Sequence, residues 1–351
     1  MDKQAFQKKL LIKMESMRRP SGAFIAAPTE DYRTCWLRDH LYTVFSYWFL
    51  GDHNKLIEGV QVIFDILHAH RHKLERISPR NNVYEYIHAK YDADNFAEIT
   101  DKWGHYQLDA LGLFLHIVAD LDSKHITVMR NYSDREILQL LVTYLLSVRY
   151  WENPDFGMWE ETPYIHSSSI GAVVDGLTRC KERQLAVIPE EMIQLGRQAM
   201  NRLLPDEFPG RDADMALLSL IWPYNIVTSD VRDIILQRTR DKLVQEHGLN
   251  RYWDDNYFRS ANGISGEWVM GLFWLSIIAS QMNNVEEAQM WFTKGAAQIT
   301  RKGEVPELYQ DGKPNNHTPL AWAHAIALIA LSKLELKRKQ LSFILPDISE
   351  E

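Results

Sequence analysis

Apolar residues recur at helical spacing along most of the chain. Between Lys55 and Lys73, Leu56, Val60, Ile63, Ile66 and Leu67 fall on one stripe. Between Asp134 and Tyr150, Ile137, Leu138, Leu141, Val142, Leu145 and Leu146 do the same. Similar patterns cover residues 4–17, 38–50, 105–121, 167–182, 188–204, 213–221, 229–246, 266–282, 284–301 and 319–336, which predicts about twelve helices. Start signals support several: Ser133-Asp134, Thr228-Ser229-Asp230, and Asn284 with Glu287 three residues on. No strand ladder competes, although short extended pieces are expected within 82–91.

The longer non-helical stretches fall at 18–36, 75–104, 151–166, 247–265 and 302–318, at intervals of about two helices. Six antiparallel helix pairs closed into a ring would gather these loops on one rim, where binding groups usually sit. The fold class expected is therefore all-α, a six-hairpin toroid. An open helical solenoid would need a repeat of fixed period, and the sequence shows none. Neither a low-complexity linker nor a composition shift divides the chain. Residues 1–351 read as one barrel domain, with 1–20 its N-terminal helix and 337–351 a C-terminal tail.

Composition narrows the partners. The formal net charge is -8, from 39 basic and 47 acidic residues, with no dense basic block. An acidic balance repels phosphate backbones, so nucleic acid is not an expected partner; a neutral substrate is. Eleven Trp and fifteen Tyr suit both a core and stacking platforms for sugar rings. Trp-rich helix faces fit a dimer seam as well as a core, so no oligomeric state is assigned. The two cysteines, Cys35 and Cys180, make neither a disulfide framework nor a metal-binding spacing. No apolar run reaches membrane-span length, and Met1 to Pro20 lacks the apolar core of a signal peptide. The expected setting is cytoplasmic, with reduced thiols and no membrane.

The candidate chemistry lies in the loops. Arg38-Asp39 opens a helix, and an adjacent donor and acceptor could bind neighbouring hydroxyls of one sugar. The same pair also reads as an acid satisfying the helix N-terminus beside a surface Arg. Further along come Trp103-Gly104-His105-Tyr106-Gln107, then Gly157-Met158-Trp159-Glu160-Glu161, then Gly303-Glu304-Val305-Pro306-Glu307-Leu308-Tyr309. Glycoside hydrolysis needs two carboxyl groups astride one bond. Loop glutamates beside Trp and Tyr, from remote parts of the chain, match that requirement. His105, His166, His317 and His324 lie near these motifs without metal-ligand spacing. His68 and His72 have the HxxxH spacing but sit on a helix away from the loops and lack the Glu. These histidines are expected to be hydrogen-bonded braces, with no metal and no cofactor called for.

The runs WLRD, WGHYQLD, GMWEE and GEVPELY followed by PLAWAHA occur together in the order seen in family 15 glycoside hydrolases. The chain resembles glucoamylases, bacterial α-glucosidases and the related helical domain of the phosphorylase kinase α and β subunits, from Gly22 to about Leu334. The resemblance implies an (α/α)6 barrel of six inner and six outer helices that works by inversion without metal. Its general acid would be Glu160 and its general base Glu307, with Glu161 contacting the sugar. Arg38 and Asp39 would bind the glucose at the non-reducing end, and Trp103 would line the site. Trp36, Trp159, Glu267, Trp268 and Tyr309 are further lining candidates. Glu304, three residues before Glu307, competes for the base role.

The activity implied is release of glucose from α-glucoside oligosaccharides, with α-1,4, α-1,6 and trehalose linkages all within the family's range. Inversion requires Glu160 protonated, its pKa raised by Trp159 and by the charge of Glu161, and Glu307 ionised. It also requires the two carboxyls about 6.5–9.5 Å apart, leaving room for water. Bacterial members often carry a β-domain ahead of the barrel. Here the sequence opens on the first helical pattern, so the barrel entrance is expected to be open or covered by another subunit. Likeness to the kinase subunits carries a second reading, a non-catalytic carbohydrate-sensing domain. A third, a sugar epimerase, would need a His acid–base pair that the pattern does not supply.

Overall fold

The computed structural model describes residues 3–101 and 103–344, the last four as backbone only. Its helices alternate between two kinds. α2 (Leu37–Leu50), α5 (Leu108–Ser123), α7 (Ser167–Glu182), α9 (Leu218–Ile221), α11 (Met270–Gln281) and α13 (Ala321–Ile344) are the inner set. α11 is buried on every side from Met270 to Ser280, as a helix walled by other helices must be. The outer set is α1 (Lys3–Glu15), α3 (His53–Ala69), α6 (Tyr132–Ser147), α8 (Glu190–Leu203), α10 (Ser229–Arg238) and α12 (Val285–Ala296), with the short α4 (Arg71–Leu74) trailing α3. α8 shows the outer pattern: Met192, Ile193, Gly196, Ala199 and Met200 are buried and the opposite face is wet.

Inner helices touch in the cyclic order α2, α5, α7, α9, α11, α13 and back to α2. The ring is therefore closed, and the fold is the six-hairpin (α/α)6 toroid that the loop spacing predicts. Inner-to-outer connections are shorter, from two residues at 51–52 to eight at 124–131. Outer-to-inner connections are long and lie at 16–36, 75–107, 148–166, 204–214, 244–269 and 297–320. All six gather at the N-terminal ends of the inner helices. Backbone N–H groups there lack intrahelical partners and carry partial positive charge.

Some elements differ from the sequence reading. The helix expected over 55–73 is interrupted at His70, whose ring bonds the Phe96 carbonyl. The pattern at 213–221 yields a 3-10 turn, Met215–Leu217, and then the short α9. Asp214 caps that turn, and Pro223 ends the segment because proline cannot supply the next helical N–H. α13 runs to Ile344, past residue 336, on the strong helix formers Leu334 to Gln340. The rest of the expected tail, 345–351, lies outside the described residues.

Two small antiparallel ladders clip the long loops together. β1 (Cys35–Trp36) pairs with β2 (Lys90–Tyr91). β3 (Glu267–Trp268), β4 (Leu308–Gln310) and β5 (Lys313–Pro314) form a second sheet. Strands of two or three residues leave no alternation to read in a sequence. Among the described residues no helix is long and apolar enough to cross a membrane.

Candidate active site

A narrow pocket opens among the long loops. It is lined by Tyr32, Trp36, Arg38, Asp39, Trp103, Trp159, Glu160, Arg251, Tyr257, Trp268, Glu307 and Trp322, among others. Arg38 and Asp39 reach it because β1 ends where α2 begins, which aims the first turn of the helix at the pocket. Arg38 is buried and donates to Oε1 of Gln107 at 2.7 Å, to Oδ2 of Asp109 at 3.2 Å and to Oε1 of Glu160 at 3.4 Å. Its guanidinium also lies 5.3 Å from the centre of the Trp322 ring. Burial pushes the Asp39 carboxyl up to about 7, while neighbouring Arg38 pulls it down.

Glu160 sits on a sharply turned loop. Its φ of 62° lies in the left-handed region, where a residue with a side chain is strained. The Trp103 indole donates to its Oε2, so both carboxyl oxygens face donors. The two loops meet because residue 104 is glycine: a Cβ there would stand 3.0 Å from the Glu160 carbonyl oxygen. Trp159 turns the other way and donates its indole N–H to Asp214 at 2.7 Å.

Glu161 does not stand beside Glu160 in the pocket as the sequence reading supposed. The left-handed turn at Glu160 sends the two side chains apart. Glu161 accepts from Arg251 at 2.7 Å and from the Tyr252 hydroxyl at 2.8 Å. It lines an outer vestibule with Trp103, Trp159, Glu160 and Tyr257, four residues shared with the inner pocket. Its charge is thereby met by Arg251 rather than left against Glu160.

Glu307 closes the far side and is only 1% exposed, which makes its bonds decisive. Oε1 accepts from the Tyr32 hydroxyl at 3.0 Å and Oε2 from the Asn315 amide. Burial pushes this carboxyl up to about 7, although the Asn315 and Tyr32 hydrogen bonds oppose the rise. Glu307 thus titrates near neutrality, where the sequence reading has it simply ionised. Glu304 is elsewhere: it bonds Lys13 at 3.2 Å and the Thr300 hydroxyl at 3.1 Å, facing α1. Of the two candidates for the base, Glu307 alone lines the pocket.

Of the lining candidates, Trp36, Trp103, Trp159 and Trp268 reach the pocket, while Tyr309 and Glu267 do not. The β3–β4 register gives the reason. Glu267 pairs with Tyr309 and Trp268 with Leu308, and successive strand residues face opposite ways. With Trp268 turned to the pocket, the other pair faces out. Tyr309 stacks on His247 and bonds the Gln298 carbonyl at 2.8 Å, and Glu267 accepts from the His247 backbone N–H.

Several pocket residues escaped the sequence reading. Arg251 is 3% exposed, ion-paired to Asp255 at 2.7 Å, and boxed by the rings of Trp159, Tyr252, Tyr257 and Trp268. The dense Arg251-Tyr252-Trp253 and Tyr257-Phe258 clusters in the 247–265 loop were the available signal. Trp322 lies inside the PLAWAHA run and Tyr32 four residues before WLRD, and neither was singled out. Three of the four histidines near the motifs act as braces: His166 bonds Glu207, His317 bonds Thr29, and His324 bonds the Leu320 carbonyl and the Val305 N–H, whereas Nδ1 of His105 is buried without a hydrogen-bond partner, contrary to the expectation.

A six-hairpin toroid with remote carboxyls facing one aromatic pocket at its loop rim has the architecture of a glycosidase. The chain belongs to family 15 of the glycosyl hydrolases, whose pattern matches residues 1–289. Similarity to solved structures gives the same fold. A glycosidase carrying one glutamate-to-alanine change, in complex with glucose, has TM-score 0.79 and 21% identity, covering 95% of this chain and 96% of that one. Hormoconis resinae glucoamylase has TM-score 0.71 and 14% identity, covering 95% and 73%. The skeletal muscle phosphorylase b kinase regulatory subunit alpha of Oryctolagus cuniculus is 24% identical over 383 residues, 92% of this chain and 31% of that protein. The chain thus spans about a third of the length of that curated relative.

Proposed function

We propose that the chain is an inverting, exo-acting hydrolase that releases glucose from the non-reducing end of α-glucoside oligosaccharides. The observation that carries this reading is the placement of Glu160 and Glu307 in one pocket with Arg38 and Asp39. Glu160 is the general acid. It passes its proton to the glycosidic oxygen as the bond breaks, and the Trp103 indole fixes the carboxyl for that transfer. Glu307 is the general base. Burial strengthens its hold on a proton, which helps it take one from the attacking water. Arg38 and Asp39 hold the terminal glucose through charge-assisted hydrogen bonds. Glu161, in the vestibule, meets the sugar beyond the broken bond.

Unpartnered buried groups favour a polar ligand. Trp268 and Trp322 line the pocket, and the indole N–H of each is buried without a hydrogen-bond partner. Such groups are rare in folded proteins and are usually met by water or ligand. Sugar hydroxyls supply that chemistry, and the surrounding rings supply the stacking.

The test is proton NMR of the protein with maltose, isomaltose and trehalose, reading anomeric signals before mutarotation. Release of β-glucose supports inversion and identifies the linkage. Release of α-glucose alone keeps a hydrolase but overturns inversion.

A second reading follows from the similarity to phosphorylase b kinase regulatory subunits. On it the same pocket binds a sugar without cleaving it. Glucose or maltose binding by calorimetry, with no turnover of any of the three disaccharides, would favour it.

A further inference from the structure

Beneath the pocket, outside its lining, one carboxylate joins two of the loops that form it. Asp214 is 1% exposed and ends the connection at 204–214. Its Oδ1 accepts from the Trp159 indole at 2.7 Å and from the Ala216 N–H at 2.8 Å. The first bond holds the residue next to Glu160, and the second locks Asp214 to the 3-10 turn that starts the fourth inner hairpin. The backbone around Asp214 is stitched to the loop of Arg251 and Tyr252: Met215 N–H donates to the Arg251 carbonyl at 2.6 Å and Trp253 N–H to Ala213 at 3.1 Å. Arg251 and Tyr252 in turn hold Glu161. Both neighbours of the turn at Glu160 are therefore referred to a single rigid point.

That turn needs such a support. Glu160 keeps a left-handed backbone, a strained state that persists only where its surroundings fix it. Glycine at 157 has φ 61° and packs on the His166 ring, so the start of the loop has little stiffness of its own. Among the described residues, the Trp159 indole is the side chain of this loop that hydrogen-bonds Asp214.

We propose that Asp214 is a positioning residue, which fixes the Glu160 carboxyl by anchoring the Trp159 indole. The inference rests on the hydrolase reading. Asp214 lies outside the pocket lining, and its direct hydrogen bond to the loop of Glu160 is the one from the Trp159 indole. Its Oδ2 makes no hydrogen bond but lies 3.6 Å from the Arg211 guanidinium, which also stands 3.8 Å from Glu161; burial, reinforced by Glu207 and opposed by Arg211, lifts the carboxyl to about 7. The bond from Trp159 needs only the Oδ1 acceptor, which an asparagine amide also offers. Asparagine can replace Asp214, and alanine cannot.

The test is a mutant cycle of Asp214→Ala, Asp214→Asn and Trp159→Phe. It reads kcat and KM on the best of the disaccharides and the indole N–H resonance of Trp159. Misplacing a catalytic group by about 1 Å can cost about 100-fold in rate. Asp214→Ala and Trp159→Phe are each expected to lower kcat by about that factor with KM little changed, because a transition-state contact is lost. The double variant should be no slower than either single one. Asp214→Asn should keep most of the wild-type kcat. Trp159→Phe keeps an aromatic six-membered ring and loses the pyrrole half of the indole with its N–H, so it carries the test if Asp214→Ala does not fold. Unchanged kcat in Trp159→Phe, or losses that multiply in the double variant, overturn the proposal. A wild-type protein that cleaves nothing sinks the hydrolase reading instead. In that case the indole resonance still decides the tether, and a resonance unmoved by Asp214→Asn and Asp214→Ala overturns it.

Discussion

The Trp103 indole donates its N–H to Oε2 of Glu160, across a gap that the two loops can close only because residue 104 has no side chain. One donor from a remote loop thus sets the carboxyl that has to give up a proton. Gly104→Ala would put a Cβ 3.0 Å from the Glu160 carbonyl oxygen and 3.1 Å from its Cα, tighter than ordinary contacts. The loops must part by a few tenths of an ångström, less than the roughly 1 Å misplacement that costs about 100-fold, so we expect kcat to fall by about tenfold while the helical ring stays intact. Steady-state kinetics with a circular-dichroism melt check this; unchanged kcat would mean the loops tolerate the shift.

Glu160→Gln and Glu307→Gln remove the proposed acid and base without changing side-chain shape. Each is expected to lower kcat by about 100- to 10,000-fold, the usual weight of one acid–base group. The folded population should be unchanged. Near-normal turnover in either variant would remove that residue from its role.

The pH dependence follows from the buried base. Glu307 takes its proton near pH 7, and the reaction needs it ionised. As pH falls through 7, kcat/KM should drop, about tenfold per unit once the group is mostly protonated. Asp39 titrates in the same window, its carboxyl also raised to about 7 by burial. The Asp39→Asn variant should keep the limb set by Glu307 while KM rises. A flat profile from pH 5 to 8 would contradict the assignment.

The same shift affects stability. The folded-state pKa of Glu307 lies above its ordinary value, so its contribution to stability is complete below about pH 4.5 and is lost as pH rises through 7. Glu307→Gln cannot ionise. Its melting temperature relative to wild type should therefore rise between pH 5 and pH 8, by the equivalent of at most about 3 kcal/mol. Parallel melting curves at the two pH values would show that the carboxyl is not held in a costly state.

Arg251 and Asp255 are both buried, and the ion pair satisfies both. Arg251→Ala leaves Asp255 as an unpaired buried charge, at a cost of about 3–5 kcal/mol. Asp255→Asn in the same chain should restore part of the lost stability. Chemical denaturation of the wild type, the single variant and the double variant reads the difference. Equal losses in the single and double variants would place the cost in packing and not in charge.

What the sequence by itself determined is the helical ring and the places where chemistry could sit. Apolar spacing marks the helices because each buries a stripe against its neighbours, and that period survives without knowledge of the partner. Long loops after every second helix foretold one functional rim. Resemblance to a known family then singled out Glu160, Glu307, Arg38 and Asp39, all of which reach the pocket. Tertiary structure decided what depends on direction and on remote contacts. The β3–β4 register turned Trp268 inward and Tyr309 outward, and no two-residue strand announces that choice. The left-handed backbone at Glu160 sent Glu161 to Arg251. Burial, which is a property of the assembled ring, moved Glu307 and Asp39 towards neutrality. Asp214, on the one outer-to-inner connection the loop reading passed over, gained its place only when Trp159 came down on it. Helical period is a local property of the chain, whereas the aim of a side chain is set by whatever packs against it.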